Sequence, residues 1–244
     1  MARSASNFFV TIGLLAMAGG ACAAQRVAWL WDGAALPPWS APHAAVLAEN
    51  VLLTGTEVRT RPRLGRWRLP DGTRVTPVVH VEVSTVNPPR PGTRARDAIV
   101  QAVLRAAGAS TSGWVQLDME ARPAQRDFYR ALVHQLRADL PRHLQLSVTA
   151  LAWWCRSPAW LDGLAADEVV PMAFRMGRDG DALRALWRDA PGTLHPKCRT
   201  QALGVATVEP LPAQVTQRYG KLYVFDRRGW HGVPGHVPHR PSEP

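Results

Sequence analysis

Short apolar β-type segments alternate with helical segments along almost the whole chain, and this alternation is the strongest constraint on the fold. The β-type segments are 27–31, 50–55, 77–84, 113–120, 144–150, 168–174, 202–207 and 221–225. Helical patterns fall between them: 41–49 capped by Ser40, 93–107 capped by Thr93, 122–140, 158–164 with Pro158 in the first turn, 181–187, and a turn at 212–218. The pattern over 122–140 is the clearest, because Phe128, Leu132, Leu136 and Leu140 recur every four residues on one helical stripe. Parallel strands need a crossover, and a helix is the usual one. The repeating unit predicts an α/β protein, a (β/α)8 barrel of the TIM type, with an open doubly wound sheet as the alternative. The chain is lean for that barrel, so some helices must be short or missing. Residues 57–75 break the rhythm. They are Arg-rich, and Asp71-Gly72 reads as the turn of a β-hairpin excursion after the second strand.

The two ends differ from the middle. Arg3, the apolar run Phe8–Met17 and the small-residue site Ala21-Cys22-Ala23 make residues 1–24 a signal-peptide pattern. The run is too short to span a membrane, so the mature chain is expected to be periplasmic or extracellular with no transmembrane segment. Lipidation of Cys22 is disfavoured, because Gly19 stands where a large aliphatic residue is needed. The stretch 229–244 is rich in Gly, Pro and His and is expected to be disordered, which leaves 25–228 as the barrel domain. Cleavage leaves Cys155 and Cys198. An even count in an oxidising compartment favours a disulfide. The barrel layout argues against one, since Cys155 follows a strand and Cys198 precedes another. Those two arguments leave the pairing open.

Lys+Arg 29 against Asp+Glu 19 gives a net charge of +10. The basic residues are mostly Arg, are spread along the chain and form no nucleic-acid-binding motif, so the charge reads as solvated surface. No Gly-rich phosphate loop follows the first strand, and neither a G-x-S-x-G elbow nor an H-E-x-x-H pair occurs. His231, His236 and His239 lie in the Pro-rich tail and make no metal-site pattern. The sequence calls for no cofactor and no metal. A saccharide or polysaccharide is the expected partner, and nucleic acid is not.

Three central strands carry the candidate chemistry. Strand side chains alternate between faces. In 113–121, Val115, Leu117 and Met119 share one face and Gln116, Asp118 and Glu120 the other. The pattern repeats in His80/Glu82/Ser84 and in Gln145/Ser147/Thr149. The apolar faces must cover the helices, so the polar ones point into the barrel, and active sites lie at the C-terminal strand ends. Asp118 and Glu120 sit there. Two like charges on one face raise the pKa of one, which a general acid requires. A satisfied, hydrogen-bonded polar core is the other reading. Asp32, Glu209 and Asp226 directly follow strands, where each serves equally as a loop cap or a ligand group. Trp31, Trp153 and Trp154 fall at strand ends, where their rings either stack on sugars or pack in the core.

The 113–121 stretch resembles the fourth-strand motif of family-18 chitinases, Asp-Gly-x-Asp-x-Asp-x-Glu. Asp118 falls on its last Asp and Glu120 on its catalytic Glu. Val170-Pro171-Met172-Ala173-Phe174 resembles that family's sixth strand, which carries Met-x-Tyr. More of the chain resembles an exported bacterial (β/α) barrel family classed as a domain of unknown function. The matching pieces are 115–118, 146–151 with Trp154-Cys155, and 170–172 with 174–177. The chitinase resemblance implies a glycoside hydrolase-like activity in which Glu120 protonates the leaving oxygen and Asp118 holds and tunes it. It places Met172 and Arg175 at the substrate. Three positions depart from the motif: Gln116 replaces its middle Asp, Phe174 the Tyr and Arg175 the Asp that follows. In chitinases those groups orient the substrate's own acetamido group as it attacks. A second carboxylate could come from Glu82, Glu209 or Asp226. The rival reading is a non-catalytic barrel that binds saccharide or a protein partner through its mouth.

Overall fold

The computed structural model describes residues 24–226, apart from 32, 33, 35, 40, 64, 66, 67, 90 and 91. The expected leader, the C-terminal tail, Asp32 and the expected helix cap Ser40 therefore lie outside the described residues. One sheet contains β1 (Gln25–Leu30), β2 (His43–Thr54), β3 (Glu57–Pro62), β4 (Arg74–Val83), β5 (Trp114–Met119), β6 (Gln145–Leu151), β7 (Glu168–Met172), β8 (Ala202–Ala206) and β9 (Lys221–Phe225). Its order is β1-β9-β8-β7-β6-β5-β4-β2-β3, and β1 also pairs in parallel with β2. That pairing closes eight parallel strands into a barrel and excludes the open sheet. β3 is an antiparallel flap on β2.

The helices are α1 (Thr93–Ala107), α2 (Arg126–Asp139), α3 (Pro158–Leu161), α4 (Gly180–Asp189) and α5 (Ala213–Thr216). α3 and α5 are single turns, and no helix separates β1 from β2 among the described residues, so the barrel is as lean as the length requires. Thr93 is the first residue of α1 rather than its cap, which is Gly92 without a side-chain bond.

Two expectations about the early chain are corrected. The helix expected over 41–49 is instead the first half of β2. Its Ala, Leu and Glu residues favour helix, but a segment lying between β1 and β4 is paired on both sides. Ladder bonds and burial on both flanks outweigh a weak local preference. The hairpin turn is at Gly55-Thr56, where Gly55 takes φ +53°, and not at Asp71-Gly72. Asp71-Gly72 is a separate turn that leads into β4.

The outward faces of β4, β5 and β6 form the main core with the helices. Val79, Val81, Val115, Leu117, Met119, Leu146, Val148 and Ala150 pack there with Ile99, Val103, Leu132 and Leu136. The period-2 and helical stripes meet as the sequence implies. The inner faces are polar at the N-terminal end of the barrel. Glu168 accepts hydrogen bonds from the Ser147 hydroxyl (2.9 Å), the Tyr223 hydroxyl (2.7 Å) and the Lys221 ammonium (2.6 Å). Lys221 also stands 4.3 Å from the Trp114 ring centroid. At this end the buried Glu168 charge is thus held by three partners.

Cys155 and Cys198 are bonded. The layout argument fails because neither cysteine continues the line of its strand. Cys155 lies in the 3-10 turn Ala152–Arg156 and Cys198 in the 3-10 turn Pro196–Cys198, and both turns pack over β7, the strand between β6 and β8. The His195 N–H donates to the Cys155 carbonyl at 2.7 Å and fixes the two turns together.

Candidate active site at the barrel mouth

The register His80↔Asp118 brings the inward faces of β4 and β5 together at their C-terminal ends. Asp118 is 3% exposed. Its Oδ1 accepts from the Thr149 hydroxyl at 2.7 Å, and its Oδ2 lies 3.0 Å from His80 Nδ1. Burial works against protonation of His80. The hydrogen bond and charge of Asp118, with Glu120 and Glu82 nearby, outweigh it, and the His80 pKa is raised above 6.5. The shift favours the imidazolium form beside the Asp118 carboxylate. Trp31 stands edge-on to the His80 ring at 4.6 Å.

Glu120 follows β5 by one residue and is open to solvent. Partial enclosure by the mouth raises its pKa, the Asp118 charge raises it further, and Arg175 and His80 act against both. The net direction is upward, as two neighbouring carboxylates on one strand face require. Glu120 lies in a cleft of about 690 Å³ whose walls include Trp31, His80, Glu82, Asp118, Arg122, Met172 and Arg175. Its apolar side is aromatic. Phe174 stacks on Phe225 at 5.7 Å, and Trp29 meets both edge-on at 6.3 and 6.2 Å.

Arg175 is the only non-glycine among the described residues with positive φ, at 51°. Its N–H is bound by both carboxylate oxygens of Glu209 at 3.1 Å, and Glu209 is held in turn by Arg184 at 2.9 Å. Glu209 therefore fixes a loop in an unfavourable conformation and is not a ligand group in the cleft. Asp226 is likewise a cap: it is buried, accepts from the Thr207 hydroxyl and is absent from the cleft walls.

Four further candidates are corrected by position. Trp154 is fully buried, stacked on Trp160 at 4.1 Å and edge-on to Tyr129 at 5.1 Å, and Trp153 packs edge-on to Trp154 and Trp160. The 3-10 turn after β6 carries both rings into the outer layer, away from the mouth. Gln116 is buried below the cleft, where it donates to Ser147 at 3.0 Å and its carbonyl oxygen has no hydrogen-bond partner. Thr149 does not line the cleft and instead orients Asp118. The alternation nevertheless held signals for residues that were not singled out. Trp29 shares a face with Trp31, Phe225 with Lys221 and Tyr223, and Arg122 follows Glu120 by two. Among the described residues, no group of three or more His, Cys, Asp or Glu side chains could hold a metal, and no helix is long and apolar enough to cross a membrane.

No family model and no curated protein matches this chain. Among solved structures it is similar to the Bacillus cereus spore cortex-lytic enzyme SleL, with a TM-score of 0.52 and 14% sequence identity. The match covers 75% of this chain and 50% of that one, so the chain spans half the length of the enzyme it matches. At that identity the likeness is one of fold, and this chain is a (β/α)8 barrel of the same type.

Proposed function

We propose that this protein is an exported, glycosidase-like barrel acting on a saccharide, with Glu120 as general acid. The observation that carries the reading is a solvent-reachable Glu120 whose pKa is raised in a cleft beside the buried Asp118. Similarity in fold to a spore cortex-lytic enzyme supports the same direction. Glu120 keeps its proton to higher pH than an ordinary glutamate and gives it to the glycosidic oxygen as the C–O bond breaks. The carboxylate left behind faces Arg175 and His80, the two groups that favour its charged form. Asp118, anchored by Thr149 and His80, adds its charge to the burial that raises the Glu120 pKa. The aromatic side offers faces to the C–H surfaces of a sugar ring.

Glu82 is the candidate second carboxylate. It follows His80 by two on β4, one step beyond the Val81↔Met119 pair, and it lines the cleft. Glu82 and Glu120 thus line the same cleft from neighbouring strands. No acetamido-assisted step is assigned, because Gln116 is buried below the cleft and Phe174 has no hydroxyl. Those same two positions favour the second reading, a barrel that binds saccharide or a protein partner without cleaving it.

Glu120→Gln keeps the shape and removes the proton. On a polysaccharide panel the variant should lose about a hundred- to ten-thousand-fold in rate with little change in thermal stability. Activity of the parent should fall as pH rises through the Glu120 pKa, because only the protonated form is the acid. A variant that hydrolyses as fast as the parent refutes the assignment. Saccharide binding without hydrolysis in either protein supports the second reading.

A further inference from the structure

The charges around the cleft are sorted by position in the barrel. The strand order runs β4, β5, β6, β7. Glu82 is the last but one residue of β4, Glu120 and Arg122 follow β5, and Arg175 follows β7. The continuation of β6 packs on the outside and contributes nothing to the cleft wall. In strand order Glu82 and His80 on β4 stand to one side of Glu120 and Arg175 after β7 to the other, with Arg122 two residues past Glu120. Elsewhere, three arginines packed against the barrel are ion-paired: Arg105 with Glu49, Arg137 with Asp167 and Arg184 with Glu209. Arg122 and Arg175 form no ion pair among the described residues, although both line a cleft that contains carboxylates. Arg175 is also the residue whose backbone is held at φ 51° by the Glu209 clamp. A left-handed conformation at a non-glycine is maintained against a steric cost and clusters at ligand-binding positions.

We infer that Arg122 and Arg175 form a carboxylate subsite, and that the cleft takes an acidic saccharide bearing a uronate or ether-linked carboxylate next to the unit held over Glu120. The inference rests on the saccharide reading of the same cleft and names its substrate class. Guanidinium groups match carboxylates in planar, two-bond geometry, whereas a neutral hydroxymethyl group leaves them solvated and without a partner. Glu82 repels an acidic unit from the opposite side, so the charge pattern also sets the direction in which the chain lies.

The test is calorimetric binding of the full chain to acidic oligosaccharides, each against its carboxyl-reduced counterpart. The panel is oligogalacturonate, oligoalginate, hyaluronan fragments and muramic acid-containing wall fragments, at about 0.15 M salt to suppress non-specific attraction. At least one acidic member should bind about ten-fold tighter than its reduced partner. Arg175→Asn, which tolerates positive φ, and Arg122→Gln should each remove most of that preference, so that the acidic member and its reduced partner bind alike. The Glu120→Gln protein should keep the preference. If it does, and neither it nor the parent hydrolyses anything, catalysis falls and the subsite stands. If hydrolysis depends on Glu120 but acidic and reduced chains bind equally, the subsite falls and catalysis stands. No binding to any acidic member, retention of the preference in both arginine variants, or equal affinity for a sulfated chain would overturn the inference.

Discussion

Acidification from pH 7 to pH 4 is expected to remove about 3 kcal/mol of stability through one buried imidazole, that of His43. His43 opens β2 and points into the N-terminal end of the barrel, where it is 3% exposed. The Gln25 side-chain nitrogen can only donate, so Nδ1 of His43 accepts from it, and Nε2–H donates to the Thr76 hydroxyl at 2.7 Å. Thr76 is bonded onward to Ser112. The neutral ring thus uses both nitrogens. Burial above all, then the charges of Lys221 and Arg74, lowers its pKa from 6.5 to about 4. The unfolded chain takes up a proton below pH 6.5, whereas the folded chain resists until about pH 4. The stability contribution is therefore complete above 6.5 and lost as pH falls through that window. At about 1.36 kcal/mol per pH unit, the loss is about 2 kcal/mol by pH 5 and about 3 kcal/mol by pH 4. That is a large share of a typical folding free energy. Urea unfolding of the parent and of His43→Gln at pH 7, 6, 5 and 4 isolates the effect. Glutamine can keep the bond to Thr76 and does not titrate, and the carboxylates common to both proteins cancel. The parent should lose about 2–3 kcal/mol more than the variant across the range. Parallel curves would refute the buried-neutral reading of His43.

The two tryptophan groups should separate cleanly. Trp31→Ala is expected to weaken saccharide binding by calorimetry with little change in melting temperature, because Trp31 is only partly buried at the cleft wall. Trp154→Ala removes a fully buried ring and should cost about 3–5 kcal/mol of stability, while the protein that remains folded binds as before. Intact-mass measurement of the exported protein, before and after reduction, should show a mature start near residue 24 and two thiols appearing only on reduction. A lipid on Cys22, a start near Met1, or free thiols before reduction would contradict these expectations.

The period-2 pattern in 113–120 was enough to orient Asp118 and Glu120, because alternation is a local property of an extended chain. The same logic held for His80 and Glu82 on β4 and for the apolar faces that meet α1 and α2. It failed at 41–49, where the side chains favour helix and only the neighbours β1 and β4 make the segment a strand. It also failed at Trp153 and Trp154. A residue just past a strand end can continue toward the mouth or turn outward, and the 3-10 turn that takes them outward is set by packing against Tyr129 and Trp160.

From its residues alone, the chain determined strand–helix alternation, the facing of each central strand and the pairing of two carboxylates at one strand end. These depend on contacts between near neighbours in sequence. Tertiary structure decided which carboxylates share a cleft and which are already committed. Glu209 is spent on the Arg175 backbone, Asp226 on Thr207 and Glu168 on Lys221 and Tyr223, whereas Glu82 and Glu120 remain open to solvent. It also joined Cys155 to Cys198 across 43 residues by bringing two short turns onto the same strand. Each of these outcomes depends on barrel closure, which brings residues distant in sequence into contact and cannot be read from any single segment.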